Sequence, residues 1–160
     1  LVSATGNELG GRWLQRVLGD EFTVHFMKDV YYGSHIDSTM VALKPGLLLA
    51  NPARLSPDTI PSFLKQWEIL FSPPMENQDR YSAAYLEQAI GSEWIDMNLF
   101  SLGPDTVVVD RDQTALIRLL ESHQMEVIPL KLRHSRMMGG GFHCVTLDTR
   151  RRGKMESYFD

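Results

Sequence analysis

The sequence predicts an α/β chain assembled from repeats of strand, strand, helix and strand. Three observations carry this reading. Residues 35–72 run in the order strand, turn, strand, helix, strand, and residues 94–129 run through that order again. The two openings also match, His35-Ile36-Asp37 against Trp94-Ile95-Asp96. A unit of this kind cannot bury its apolar faces alone. The copies must therefore stack or close around an axis, and closure brings equivalent strand ends together at the centre.

Each element has its own signal. Leu9, Trp13, Leu14, Val17 and Leu18 fall at helical spacing, and Phe22-Thr23-Val24-His25-Phe26 reads as a strand. Together they would finish a preceding unit. In the first full unit, Thr39 to Leu43 runs into the turn Lys44-Pro45-Gly46, and Leu47 to Ala50 returns until Asn51-Pro52 breaks it. Ser56-Pro57-Asp58 supplies N-cap chemistry and an early proline for a short helix through Lys65. Glu68 to Phe71 is the last strand of the unit, stopped by Pro73-Pro74. The polar stretch 75–92 reads as a loop or lid between units.

The second unit opens with Met97 to Leu102, turns at Gly103-Pro104-Asp105 and returns through Thr106 to Val109. Asp112 is placed to cap a helix whose apolar face is Leu116, Ile117, Leu119 and Leu120. Glu126 to Leu130 closes the unit. Phe142-His143-Cys144 followed by Val145-Thr146-Leu147 reads as the start of a third.

A length of 160 residues fits one domain or a piece of one, and 43% hydrophobic with 22% charged residues is ordinary for a globular chain. The net charge of −4 excludes a global basic field that would draw in nucleic acid or an anionic membrane. No apolar run is long enough to span a bilayer. One cysteine cannot make an intrachain disulfide, which points to a reducing, cytoplasmic setting. Leu1-Val2-Ser3-Ala4-Thr5 is neither an initiator Met nor a signal peptide and reads as a start inside a longer protein. Arg150-Arg151-Arg152-Gly153-Lys154 has no interleaved aromatics and reads as a salt-bridged hairpin, not a nucleic-acid surface.

The chemistry concentrates at Cys144, directly after Gly139-Gly140-Gly141, where residues without side chains let backbone and ligand approach the sulfur. His35 and Asp37 occupy the equivalent strand mouth of the first unit, so the repeat predicts that all three converge. A thiol, an imidazole and a carboxylate are the parts of covalent catalysis by cysteine. Blander readings stand beside each part. Cys144 also reads as a small buried apolar residue, His35 as a structural histidine and Arg54 as a solvated surface arginine. Asp37 and Asp96 read as turn caps or partners of arginine. Strand alternation would turn His143 away from the face that Cys144 uses. His35, His143 and Cys144 lack the compact spacing of a zinc site, so no metal or cofactor is expected.

The segment 139–160, GGGFHCVTLDTRRRGKMESYFD, closely resembles the C-terminus of the arginine amidinotransferases. GRWLQRVL, the HID segment, GLLLANPAR and SEWIDMNLF extend the likeness through nearly the whole chain. Tyr32-Gly33-Ser34 resembles the cyanobacterial saxitoxin and cylindrospermopsin types, where the glycine-using enzyme carries Asn-Pro-Met. The resemblance implies a five-bladed α/β propeller of ββαβ units, the pentein fold, with residues 1–160 as the C-terminal part of one catalytic domain. It implies that Cys144 is the nucleophile and His35 the general acid/base. Asp37 would bind the guanidinium, Arg54 a substrate α-carboxylate and Ser92 the substrate more weakly, while Tyr32 and Ser34 would line the acceptor pocket. An aspartate that orients the histidine, and a second guanidinium-binding carboxylate, would lie upstream of Leu1. The implied reaction moves the amidino group of L-arginine to an acceptor amine through an amidino-cysteine, releasing ornithine, in the biosynthesis of a guanidine-bearing toxin. A homodimer is left open. A guanidine hydrolase (a deiminase) of the same fold and an inactive truncated chain are the alternatives.

Overall fold

Two sheets of three strands repeat one topology in the computed structural model, which describes residues 1–33, 35–77, 87, 91–153 and 159. Ahead of them lies a helix, α1 (Glu8–Leu18). In the first sheet, β1 (Met40–Lys44) runs antiparallel to β2 (Leu47–Ala50), and β2 runs parallel to β3 (Glu68–Phe71). In the second, β4 (Phe100–Ser101) runs antiparallel to β5 (Thr106–Asp110), and β5 parallel to β6 (Glu126–Leu130). The registers coincide, since Val41 faces Leu49 as Phe100 faces Val108. Residues 35, 37, 39 and 51 are thereby equivalent to residues 94, 96, 98 and 110. The strand exits agree as well. Asn51 Oδ1 accepts the Ala53 N–H at 2.9 Å, and Asp110 Oδ1 accepts the Asp112 N–H at 3.0 Å. Both are side-chain turns that lead the chain off its sheet.

The two units share a core. β2 is buried on both faces, which is why it reads as an unbroken apolar run. Alternation sorts its side chains. Leu47 and Leu49 join Met97, Leu99, Val107 and Val109 in one cluster, together with Leu116 and Leu120 of α2 (Thr114–Ser122). Leu48 and Ala50 join Leu55, Ile60, Leu64 and Trp67 in another. The first sheet therefore packs against apolar residues of the second unit, helix included.

α2 is capped from a distance. Glu76 Oε2 accepts the Ala115 N–H at 2.9 Å and the Thr114 hydroxyl donates to Oε1 at 3.0 Å. The Ala115 bond, with that of Thr114, holds the Glu76 carboxyl below its ordinary pKa, and its charge suits the positive end of the helix. Asp112, the expected cap, pairs with Lys131 at 3.0 Å instead. The helix ends in a Schellman turn in which Gln124 takes φ 61° and Met125 N–H bonds the Leu120 carbonyl at 3.1 Å.

Several expected elements are absent or short. The helix from Ser56 to Lys65 reduces to a 3₁₀ turn at Ser62–Leu64. Thr59 Oγ1 accepts the Ser56 N–H at 2.8 Å and closes a turn, and Pro61 has no N–H with which to continue a helix. β4 is shorter than the expected Met97 to Leu102, because Ile95–Met97 coils into a 3₁₀ turn and the Asn98 carbonyl accepts the His143 N–H at 3.2 Å. Phe22 to Phe26 and Val145 to Leu147 form no strand, having no neighbouring strand to pair with among the described residues. α1 forms, with Asn7 accepting the Gly10 N–H at 2.9 Å, yet Leu9, Trp13 and Val17 on its apolar side are exposed. The basic stretch forms no hairpin through residue 153; Arg151 pairs with Asp148 at 2.6 Å and donates to the Ser101 carbonyl at 2.8 Å. Most of the expected lid, 78–86 and 88–90, lies outside the described residues. Among those described, no helix is long and apolar enough to cross a membrane.

Candidate active site at the strand mouths

Equivalent positions just ahead of the first strands carry buried polar side chains, Thr39 and Asn98, and each organises half of the site. Asn98 Nδ2 donates to Asp37 Oδ2 at 2.6 Å, while its Oδ1 accepts the Cys144 N–H at 3.0 Å. Asp37 and Cys144, two residues singled out by sequence, therefore meet across one amide. Asp37 Oδ1 has no hydrogen bond among the described residues. The third glycine has a steric reason, because a Cβ on Gly141 would fall 2.6 Å from Asn98 Cβ.

Cys144 is an exposed free thiol, not a buried apolar residue. His143 Nδ1 lies 3.7 Å from Asp37 Oδ2, contrary to the expectation that it turns away. Residues 142–145 form a turn, closed by Val145 N–H on the Gly141 carbonyl at 3.3 Å, so strand alternation does not apply. His35 is exposed two residues ahead of Asp37 and makes no hydrogen bond to Cys144. Asp37, two residues on, is the group of this strand mouth that reaches the Cys144 backbone, through Asn98. Ser34 lies outside the described residues.

Arg54 anchors the other half. Its Nη1 donates to the Ser38 carbonyl, Ser38 Oγ and Thr39 Oγ1, each at 2.9 Å, and Nη2 donates to Ser92 Oγ at 3.1 Å. The guanidinium carbon lies 3.4 Å from the centroid of the Tyr31 ring. Burial lowers its pKa, yet a guanidinium stays cationic at neutral pH. The charge interaction and hydrogen bond with Tyr31 act in the opposite direction to burial. Arg54 is therefore not the solvated surface residue of the blander reading. Tyr32, expected in the pocket, is 80% exposed, and its neighbour Tyr31 makes the contact with Arg54. Gly33 permits this, since a Cβ there would fall 2.0 Å from the Tyr31 ring.

Sequence reasoning missed Tyr31, Thr39 and Asn98. For the last two a signal existed: the repeat sets a polar residue two positions after the aspartate of both HIDST and WIDMN, where an apolar strand begins. Tyr31 carried no such mark.

Asp96, the equivalent of Asp37, is buried with no hydrogen-bond partner on either oxygen among the described residues. Burial, with repulsion from Asp110 and Glu76, raises its pKa to about 7; the backbone N–H groups of Asp96 and Met97 pull the other way without bonding to it. The folded form therefore keeps a proton that the unfolded chain releases near 3.8. Stability is expected to fall as pH rises between those two values, by on the order of 4 kcal/mol, and to level off above the higher. Asp96→Asn should remove that slope in urea unfolding followed across the interval. A slope of unchanged size would assign the dependence to other groups.

No group of three or more metal-binding side chains occurs among the described residues. A cleft of about 310 Å³ lined by Lys44, Glu68, His123 and Gln124 lies at the opposite end of β1, away from this chemistry.

No protein-family model matches the chain. It is 50% identical over 158 residues to inosamine-phosphate amidinotransferase 1 of Streptomyces griseus, covering 99% of this chain and 44% of that protein. It is 38% identical over 153 residues to the L-arginine:L-lysine amidinotransferase of Pseudomonas savastanoi pv. phaseolicola, covering 95% of this chain and 40% of that one. The solved inosamine-phosphate amidinotransferase of Streptomyces griseus matches with a TM-score of 0.90 at 49% identity, over 99% of this chain and 44% of that one. SxtG, an amidinotransferase of Microseira wollei in the saxitoxin biosynthetic pathway, matches at 0.88 and 34% identity, over 99% and 45%. The chain spans less than half the length of these relatives. Its two three-stranded units form part of the pentein-like fold of these amidinotransferases, to which the chain is similar over the part that it spans.

Proposed function

We propose that residues 1–160 are part of an amidinotransferase catalytic domain and carry its nucleophile, moving the amidino group of L-arginine to an acceptor amine. The observation that carries this reading is the single amide joining Asp37, a ligand for a guanidinium, to the backbone of Cys144. Arginine's guanidinium is resonance-stabilised and always protonated, so its carbon is a poor electrophile. Asp37 holds it with a charge-assisted bond and fixes its plane beside the sulfur, while the Arg54 cation takes the α-carboxylate. The cation also favours the thiolate.

The thiolate attacks the guanidinium carbon and forms a C–S bond. The C–N bond to the side chain breaks, His35 supplies a proton to the departing nitrogen, and ornithine leaves. Cys144 now carries the amidino group. His35 takes a proton from the incoming amine, which attacks the same carbon, and the C–S bond breaks to release a new guanidine and the thiolate. Such a cycle is ping-pong. General acid/base help contributes about 10²–10⁴ in rate. An acceptor from secondary metabolism, a guanidine-bearing toxin among its products, and a cytoplasmic setting that keeps the thiol reduced complete the reading.

Intact-mass analysis of the full-length protein given arginine without acceptor tests it. The expected result is an amidino adduct on Cys144 with release of ornithine. Citrulline in place of ornithine would make the protein a hydrolase, and no adduct with no turnover would reject both readings.

A further inference from the structure

We infer that Asn98 is a positioning residue that sets the distance and angle between the guanidinium-binding carboxylate and the nucleophile; the inference rests on the roles of Asp37 and Cys144 proposed above. Asn98 is 2% exposed, and its polar groups divide between the two parts of the site. Nδ2 donates to Asp37 Oδ2 at 2.6 Å, Oδ1 accepts from Cys144 N–H at 3.0 Å, and its carbonyl accepts from His143 N–H at 3.2 Å. The orientation of the amide is determined. Flipped, Oδ1 would face a carboxylate oxygen and Nδ2 would face an N–H, so both contacts would repel.

Two consequences follow for Asp37. Its Oδ2 is occupied by a neutral donor, while Oδ1, without a hydrogen bond among the described residues, stays open toward a guanidinium. The carboxylate cannot rotate without losing the bond to Asn98. The loop with the sulfur is registered on the same residue at two successive backbone N–H groups, His143 on its carbonyl and Cys144 on its side-chain oxygen, and Gly141 closes against it with no room for a Cβ. Asn98 need not touch substrate. It acts through Asp37 and Cys144, and a misplacement near 1 Å costs about 10²-fold in a reaction of this kind.

The test uses two rates measured on full-length protein. One is single-turnover amidination of Cys144 by arginine, read by intact mass. The other is alkylation of the same thiol by iodoacetamide, which reports its exposure and ionisation and needs no bound guanidinium. Asn98→Asp keeps size and shape and can still accept from Cys144 N–H, but it sets two carboxylate oxygens against each other. Gly141→Ala keeps Asn98 and displaces the loop from it. In both variants amidination is expected to fall about 100-fold while alkylation stays within about threefold. Amidination undiminished in both, or alkylation lost in parallel in both, would overturn the inference alone. No adduct even in the unsubstituted protein would reject the nucleophile and this inference with it.

Discussion

Replacing Cys144 with alanine in the full-length protein is expected to abolish both ornithine release and acceptor modification, a loss of about 10⁶-fold, the scale reached when a nucleophile is removed. The folded state should barely register the change. Cys144 is exposed, and its contact with Asn98 is made by the backbone N–H, which alanine retains. Stability should stay within about 0.5 kcal/mol of the parent, as for surface substitutions generally. Adding His35→Ala to that variant should cost nothing further, because a proton donor has no leaving group to serve once the covalent step is gone. Ornithine release retained by Cys144→Ala, or a further loss on adding His35→Ala, would contradict a shared covalent pathway.

Arg54→Lys is expected to raise KM for arginine by about 10–100-fold and to lower stability by about 1.5–3 kcal/mol. The guanidinium reaches Ser38 and Thr39 through Nη1 and Ser92 through Nη2, from opposite sides of one rigid fork. A lysine ammonium is a point donor on a flexible stem. It cannot hold both groups and still present donors to a carboxylate, nor stack flat on Tyr31. The two effects separate by measurement: saturation kinetics read the first and urea unfolding reads the second. If KM is unchanged while stability falls, Arg54 is a structural cross-link between the units and does not touch substrate.

The repeat was legible because each unit writes its own pattern. Leu47 to Ala50 and Thr106 to Val109 are apolar runs bounded by turn residues, and such runs mark strands buried on both faces. The matched openings placed His35, Asp37 and the equivalent Asp96 at strand mouths before any coordinates. The elements that failed are those whose structure depends on something beyond their own residues. Phe22 to Phe26 and Val145 to Leu147 have strand composition, but a strand exists only by pairing, and no described strand lies beside them. Residues 56–65 carry a helix-start signal that Pro61 and the Thr59 hydroxyl override locally. The Glu76 cap on α2 bridges residues far apart in sequence, so spacing could not reveal it.

For the site the division is sharper. Chemical identity was set along the chain: one thiol, glycines before it, and a histidine and carboxylate at a repeated position. Relative placement was not, because it depends on the pleat and register that bring residue 98 between residues 37 and 144. A hydrogen bond between residues tens of positions apart leaves no periodic trace, as each partner alone looks like any buried polar group. The amide of Asn98, the stacking of Tyr31 on Arg54 and the orphaned carboxylate of Asp96 belong to tertiary packing, which alone decides which polar atoms find partners and which lose water without one.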